Sequence, residues 1–308
     1  MKVSIIGGGG RVGSDAAYAL QLTGIVREIA LLDANQDMAA GEALDLRHGA
    51  SIYGGQAFSS GDYGIVDGSD CVVITAGLRR KPDESRLDLI NRNLGLFNGI
   101  LDDIKNAKLK PNSTILVVSN PVDILTQFAV ESGILPPQQV LGLGTVLDTA
   151  RFRSLIASSL KVNALDVKAL ILGEHGDSMV PIWSSATIGG VPIASVSGWT
   201  SKSADELFQS TKTSGAEVIR QKGGAGRAVG ASIAEVVNSI ALGADRLLPV
   251  SVLQTGTMGI EGVCLSLPTV VGRQGASAVW APAVSDTEKE LLHKSAQALK
   301  DMLGQIQV

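Results

Sequence analysis

One histidine lies in a sequence setting suited to proton transfer. His175 follows a predicted strand, Val167–Leu172, and small glycines on both sides leave its imidazole accessible. Histidine has a pKa near neutral, so it can exchange a proton with an alcohol while a hydride is transferred. Such a histidine needs a carboxylate that orients its ring. Asp148 is a candidate because it opens a predicted helix one turn before Arg151; an ordinary helix-start carboxylate in an ion pair is the equal alternative.

A run of glycines follows the first predicted strand. Residues 7–13 read GGGGRVG, which fits G-x-G-x-x-G from residue 8 or a glycine at every third position from residue 7. At a strand-to-helix turn, a side chain would block a pyrophosphate from the helix N-terminus. Asp33 ends the next strand, 20 residues after Gly13, where a carboxylate can bind an adenosine ribose 2′-hydroxyl and repel a 2′-phosphate. The two features predict an NAD site; the alternatives are a plain tight turn and a solvated strand end.

Strands and helices alternate around these residues in the first half of the chain. Cys71–Thr75 and Thr114–Val118 are β-branched runs without polar alternation, which is typical of strands buried on both faces of a parallel sheet. Between them, apolar residues recur at helical spacing over residues 87–104. The pattern predicts an α/β fold, a Rossmann doubly wound parallel sheet. Asn120 then ends a strand where such sheets bind ligands, or it forms a turn before the following proline.

The regular alternation stops near residue 143, and the rest of the chain mixes helices with short strands. The length allows two domains of ordinary size. We therefore predict a dinucleotide-binding domain over residues 1–143 and an α+β substrate-binding and catalytic domain over residues 144–308.

Composition argues against several classes of function. The 308 residues carry a formal net charge of −4 without a long basic run, so no nucleic-acid partner is expected. No apolar stretch reaches the roughly 18 residues of a spanning helix, so no membrane partner is expected either. Three histidines and two cysteines, far apart in sequence, argue against a metal site. With no disulfide framework and no signal-peptide core, we expect a cytoplasmic protein.

Several motifs together resemble the lactate/malate dehydrogenase family over essentially the whole chain. They occur in the family's order, at residues 7–13, 74–77, 80–93, 119–123, 144–153 and 173–181. The resemblance implies hydride transfer between NAD and C2 of a small 2-hydroxy acid, while a histidine exchanges the hydroxyl proton. It also implies an assembly of identical subunits, a homodimer or a homotetramer.

The resemblance implies roles for individual side chains. His175 resembles the acid and base, Asp148 its carboxylate partner, and Arg151 the bidentate anchor of the substrate C1 carboxylate. Arg86 resembles the arginine that polarises the reacting carbonyl, and Asn120 the residue that bonds near the substrate oxygen. The implied cofactor-binding residues are Gly7, Gly8, Gly10, Arg11, Val12, Gly13, Asp33, Thr75, Ala76, Gly77, Asn93, Val118 and Asn120.

By the same resemblance, Arg80 occupies the position that divides the family by substrate. An arginine there can pair with the second carboxylate of oxaloacetate, whereas its charge would be costly if buried over the methyl group of pyruvate. Met179 and Ala225 also resemble the malate form. The scaffold instead resembles bacterial lactate enzymes at residues 84–89, 145–151 and 182–184.

We give the substrate-facing position more weight than the scaffold and expect malate dehydrogenase activity on a small dicarboxylate, malate or oxaloacetate. One alternative is that Arg80 is simply an exposed loop arginine. The others concern function: a lactate or broad 2-hydroxyacid dehydrogenase, and a non-catalytic dinucleotide-binding redox sensor.

Arg153 and Lys168 predict a second anion site, again by resemblance. Arg153 matches an arginine that binds fructose 1,6-bisphosphate between subunits in allosteric bacterial lactate enzymes. Lys168 replaces the histidine expected with it, and a lysine can still hold phosphate. Ordinary surface charge is the alternative for both residues.

Overall fold

The first half of the chain forms parallel strands connected by helices. The computed structural model describes residues 1–78 and 86–306, and of Arg86 it describes the main chain alone. The strands are β1 (Lys2–Ile6), β2 (Glu28–Leu32), β3 (Ala57–Ser60), β4 (Cys71–Ile74), β5 (Thr114–Val117) and β6 (Val140–Gly142). The helices are α1 (Arg11–Thr23), α2 (Gln36–Tyr53), α3 (Arg86–Asn106) and α4 (Val122–Glu131).

The order of these strands creates a ligand-binding crevice. They lie side by side as β3-β2-β1-β4-β5-β6, and each neighbouring pair is parallel. The chain leaves β1 toward one edge and returns to β4 on the other side, so the direction of winding reverses between these two strands. Doubly wound sheets bind ligands at the carboxyl ends of the strands next to such a reversal.

Alternate residues of the central strands face two separate cores. In β1, Ile5 packs into the core beneath α1 and α2, whereas Ile6 packs into the core that contains residues of α3 and α4. The strands β4 and β5 are buried at every position. Burial on both faces explains the continuous apolar runs in the sequence and confirms the predicted doubly wound sheet.

The second half combines helices with short antiparallel strands. Its helices are α5 (Val146–Leu160), α6 (Ser201–Lys222), α7 (Arg227–Leu242) and α8 (Asp286–Gln305). Its strands are β7 (Val167–Leu172), β8 (Val180–Ile188), β9 (Val191–Pro192), β10 (Arg246–Leu248), β11 (Ser251–Thr255), β12 (Glu261–Ser266), β13 (Thr269–Gly272) and β14 (Gly275–Val279). None of the described helices is both long and apolar enough to cross a bilayer.

The main sheet continues from the first half into the second. Strand β11 pairs antiparallel with β6 through Ser251 and Gly142, and β12 pairs with β11, which gives this sheet eight strands within the described residues. The two remaining sheets, β7-β8-β9 and β10-β13-β14, consist of second-half strands alone. The proposed boundary between residues 143 and 144 falls in the link from β6 to α5, and the sheet itself crosses it.

Hydrophobic periodicity does not reveal α4 and β6. Eight of the ten residues of α4 are buried, including Asp123, Thr126 and Gln127, so the helix has no contrast between a polar and an apolar face. Strand β6 has only three residues and ends in glycine. Both elements therefore lack the patterns by which helices and strands are identified.

Candidate active site

The glycine run forms the turn between β1 and α1. Helix α1 begins at Arg11 with Gly10 as its N-cap, and no side chain caps it. A Cβ on Gly13 would lie 2.2 Å from the Gly7 carbonyl oxygen, so glycine is required for this close approach of helix and strand. An uncovered helix start attracts a pyrophosphate. The turn therefore fits a dinucleotide, and it contains the predicted residues Gly7, Gly8, Gly10, Val12 and Gly13.

Asp33 lies beside this turn, directly after β2. Its Oδ2 accepts a hydrogen bond from the Gly9 N–H (3.1 Å), and its Oδ1 accepts one from the Asn35 N–H (3.0 Å). A carboxylate can accept more than two hydrogen bonds, so this half-buried side chain keeps capacity for a ribose hydroxyl. Sequence reasoning passed over Gly9, whose only signal was the extra glycine in the run.

Other predicted cofactor residues hold the turn and the neighbouring chain in place. The Thr75 hydroxyl donates to the carbonyl oxygen of Ile6 (3.0 Å), and Asn93 Oδ1 accepts from the Leu78 N–H (2.7 Å). Buried Asn93 thus connects α3 to the chain that follows β4. The carboxyl ends of β4 and β5 carry the remaining predicted residues of this group, Ala76, Gly77 and Val118.

The Arg11 side chain is bound at the end of α6. Its Nη1 donates to the carbonyl oxygens of Lys222 (2.8 Å) and Gly224 (2.9 Å), at the end of α6. A cation is stabilised at a helix C-terminus, where carbonyl groups lack partners. The main-chain N–H of Arg11 lies at the start of α1, and its role as a cofactor residue stays a prediction.

The loop between β7 and β8, residues 173–179, carries His175 and is called the histidine loop here. Its first residue is anchored to the main sheet. Gly173 exchanges two main-chain hydrogen bonds with Ser266 of β12, at 2.9 and 3.0 Å. Its φ of +85° favours glycine, and a Cβ there would lie 2.7 Å from Ser295 Oγ. The loop is thus fixed to the edge of the main sheet, two residues before the histidine.

The structure places His175 against Asp148, as an acid–base role requires. His175 Nδ1 lies 2.5 Å from Asp148 Oδ2. The Asp148 side chain is 1% exposed, whereas that of His175 is 23% exposed. Because Nδ1 is held by the carboxylate, the nitrogen left for a substrate is Nε2. The two residues are 27 positions apart, a separation that motif spacing alone does not connect.

The charges of this pair stabilise each other. Burial alone would lower the pKa of His175, but the Asp148 charge and hydrogen bond raise it above its usual value. Burial also opposes ionisation of Asp148, yet the His175 and Arg151 cations hold the pKa of its carboxyl below the usual range. The pair therefore shifts the equilibrium toward protonated His175, the form that can donate to a carbonyl oxygen.

Arg151 supplies a cation beside the pair. Its Nη1 donates to Asp148 Oδ1 at 3.1 Å, and its side chain is 18% exposed. Its other guanidinium N–H groups make no hydrogen bond to any of the residues that the structure describes. A partly buried guanidinium with spare donors can bind a carboxylate in the bidentate manner.

Asn120 and His175 line one cavity of about 270 Å³. Asn120 follows β5 and is exposed, and its peptide bond to Pro121 is cis. The cavity thus joins the carboxyl end of the main sheet to the histidine loop of the second half. Its lining residues are Leu89, Ile90, Asn120, Pro121, Asp123, Ile124, Glu174, His175 and Leu299.

Two predicted arginines lie beyond what the structure describes. Arg80 falls outside the described residues, and Arg86 begins α3 with a side chain that is also outside them. Their predicted contacts with substrate remain predictions. The other two histidines, His48 on α2 and His293 on α8, are exposed and take no part in the cavity.

The predicted anion-binding residues are engaged with main-chain carbonyls. Arg153 Nε donates to the Ala169 carbonyl oxygen (2.8 Å), and Lys168 Nζ donates to that of Leu165 (2.9 Å). Burial, the largest influence, lowers the pKa of Arg153, although nearby Glu235 opposes this. An anion site here remains a prediction.

Sequence reasoning also passed over two buried carboxylates, Asp123 and Glu174, which line the same cavity as His175. Asp123 Oδ2 accepts the main-chain N–H of His175 at 2.7 Å. Glu174 Oε2 accepts from the N–H of Ser178 (3.1 Å) and from its hydroxyl. The available signal was an aspartate three residues after Asn120, within a helix that the periodicity did not reveal.

Comparisons with known proteins agree over the full length of the chain. An L-lactate dehydrogenase of Synechococcus sp. (strain JA-3-3Ab) is 39% identical over 307 residues, which is 99% of each chain. That of Salinibacter ruber is 41% identical and covers 98% of this chain and 96% of its own. The crystal structure of minor L-lactate dehydrogenase from Enterococcus mundtii superposes with a TM-score of 0.95 at 35% identity, over 100% of this chain and 98% of that one.

The expectation of malate dehydrogenase activity is wrong in the light of these relatives. They carry the name L-lactate dehydrogenase at about 40% identity, over nearly complete chains. The expectation depended mainly on Arg80, with Met179 and Ala225 in agreement, and it was set against a scaffold that already resembled lactate enzymes. The similarity of the scaffold to lactate enzymes was the better guide to the substrate, because it extends over nearly the whole chain.

Family models divide the chain into two consecutive parts. The NAD-binding domain of lactate/malate dehydrogenases matches residues 1–142, and their alpha/beta C-terminal domain matches residues 145–307. The glycine turn and Asp33 lie in the first part, whereas Asp148, Arg151 and His175 lie in the second. The chain belongs to the lactate/malate dehydrogenase family, and its cofactor is NAD.

Proposed function

We propose that the protein is an NAD-dependent L-lactate dehydrogenase that interconverts pyruvate and L-lactate. The observation that carries the proposal is the similarity to proteins of that name over 97–100% of the chain. The geometry supports the same reaction class, because a partly buried His175–Asp148 pair with Arg151 beside it can protonate a carbonyl and bind a carboxylate. A redox sensor would have no need of this set of charges.

In the direction of reduction, His175 gives up the proton. Pyruvate binds with its carboxylate on Arg151, since that guanidinium has spare donors in a partly buried position. The Nε2 proton of His175 passes to the carbonyl oxygen, and Asp148 keeps the ring oriented throughout. When bound, NADH would supply the hydride that reduces C2. In the reverse direction, neutral His175 accepts the hydroxyl proton of lactate.

The turn of residues 7–13 and Asp33 would hold the cofactor. The uncovered start of α1 suits the pyrophosphate, and the Asp33 carboxylate suits an adenosine ribose with a free 2′-hydroxyl. The carboxyl ends of the neighbouring strands β4 and β5 would then lie beneath the cofactor, on the side that leads to Asn120. We also propose that the chain assembles into a homodimer or homotetramer, as its family does.

The test compares kcat/KM for pyruvate and for oxaloacetate with saturating NADH. We expect pyruvate to be preferred by at least about tenfold, a difference of roughly 1.4 kcal/mol in transition-state binding. His175→Asn serves as the control, because its loss of both activities shows that each arises at this site. A preference for oxaloacetate would overturn the proposal.

A further inference from the structure

Asp123 connects the two halves of the molecule at the acid–base residue. It lies in the first turn of α4, three residues after Asn120, and is 3% exposed. Its Oδ2 accepts the main-chain N–H of His175, which is 52 positions away in the second half. Within the described residues, Asp123 accepts no hydrogen bond from the amides of its own helix. Its carboxylate is therefore committed to the histidine loop rather than to capping α4.

The second oxygen of this carboxylate is buried without a partner. Neither Asp123 Oδ1 nor the facing Ser251 Oγ on β11 makes a hydrogen bond of normal geometry within the described residues. The other titratable groups around Asp123 are Glu174 and His175 on the histidine loop and the Cys264 thiol on β12. Burial raises the pKa of Asp123 to about 6, although Ser251 and the His175 N–H partly offset this. A buried carboxylate with an unused oxygen is costly, so packing alone does not explain it.

His175 thus lies between two carboxylates with different attachments. Asp148 holds the ring at Nδ1, and Asp123 holds the main chain. The charges that face the imidazole are Asp148 and Arg151 of α5 and Asp123 of α4. Because the main-chain contact is a charge-assisted hydrogen bond, it is shorter and stronger than a neutral one.

We propose that Asp123 is a positioning residue for the acid–base step: it holds the main chain of His175 toward the carboxyl end of the main sheet, and its negative charge adds to that of Asp148 in favouring the imidazolium. This inference rests on the proposed role of His175 as acid and base. It does not depend on which 2-oxo acid is reduced.

The decisive variant is Asp123→Asn, which keeps the size and one acceptor oxygen but removes the charge. We expect the basic limb of the pH profile of kcat/KM for 2-oxo acid reduction to move down by about half to one pH unit. Above that limb the rate falls by about three- to tenfold, whereas near pH 6 it changes little. Asp123→Ala also removes the acceptor, so it should lower kcat further while the Kd of NADH stays unchanged.

Thermal unfolding and a matched control variant separate this effect from loss of fold. Asp123→Asn should unfold at the same temperature as the native chain below about pH 4 and at a higher temperature above pH 6. A carboxyl whose pKa is raised by burial favours the fold when protonated, and that stability is lost as the pH rises from about 4 to about 6. The matched control is Glu131→Gln, which removes an exposed carboxylate at the other end of α4 and should leave the pH profile unchanged.

A direct titration tests the link even if the proposed substrate is wrong. The chain has only three histidines, so imidazole NMR signals can be assigned with His48→Gln and His293→Gln. The pKa of His175 should fall in Asp123→Asn by the same amount as the kinetic limb. In the native chain, the His175 amide signal should respond to a group that titrates near pH 6. An unchanged His175 pKa in the folded variant, or an amide signal that does not respond, would overturn the inference.

Discussion

The two ends of the crevice are built in opposite ways for their proposed ligands. At the cofactor end, the turn depends on missing side chains, since a Cβ on Gly13 would collide with the Gly7 carbonyl oxygen. At the substrate end, His175, Asp148 and Arg151 bring three ionisable side chains together in partly or fully buried positions. The first end is therefore sensitive to any atom that is added, and the second to any charge that is removed.

This difference separates binding from chemistry. The glycine turn creates main-chain donors for an anion but leaves proton transfer to other residues. The His175–Asp148 pair raises the pKa of the histidine but lies in the other half of the chain. Substitutions at the two ends should therefore affect different steps, and three variants test that division.

The largest effect is expected from Asp148→Asn. Without the carboxylate, the His175 ring loses its orientation and the charge that raises its pKa, and Arg151 loses its partner. We expect kcat/KM for the 2-oxo acid to fall by about a thousandfold or more, as is typical when the carboxylate behind a catalytic histidine is replaced. The basic limb of the pH profile should also move to lower pH.

Fluorescence titration with NADH completes this test. Its Kd should stay within about twofold of the native value, because Asp148 lies at the substrate end. Asp166→Asn, an exposed position in the same half, provides the control. If Asp148→Asn weakened NADH binding as much as it slowed turnover, the separation of the two ends would be lost.

The next effect concerns Gly13→Ala. The added methyl group would lie 2.2 Å from a main-chain oxygen, so α1 must move away from β1. Overpacking of this kind costs about 1–3 kcal/mol, and we expect a lower thermal midpoint together with a Kd for NADH that is about ten to a hundred times higher. Gly10→Ala is the matched variant, because its Cβ would lie 3.2 Å from the same oxygen. Equal thermal midpoints for the two variants would argue against a steric role for Gly13.

The smallest effect is expected from Asp33→Ala. Its carboxylate accepts the Gly9 and Asn35 N–H groups and has capacity for a ribose hydroxyl. Removing it should lower the preference for NADH over NADPH, measured as the ratio of kcat/KM values, by about tenfold while turnover with NADH changes less. An unchanged ratio would show that another residue selects the cofactor.

The two ends also differ in how far the sequence predicts them. The glycine turn and Asp33 lie 20 residues apart in one β-α-β unit, so spacing alone connects them. His175 and Asp148 meet because β7 and α5 pack side by side. From the residues alone, a partnership of Asp148 with His175 was weighed equally with an ordinary ion pair at the start of a helix. The sequence pattern did not indicate Asp123, because α4 is buried on nearly every side and has no amphipathic periodicity.

The substrate was the point at which sequence reasoning failed. Arg80 is a single position outside the described residues, whereas similarity to L-lactate dehydrogenases extends over the whole chain. The electrostatic argument for Arg80 assumed that its side chain lies over the substrate. An electrostatic argument for substrate specificity requires that the position of the charged side chain be known.

The pairing of β11 with β6 has a mechanical consequence. Because Ser251 and Gly142 belong to one continuous sheet, the halves cannot swing apart as hinged lobes without breaking main-chain hydrogen bonds of that sheet. The pairing therefore opposes opening of the two halves as hinged lobes. The same continuity couples the halves during denaturation, so an exchange of halves between homologues must preserve this strand register to yield a cooperative protein.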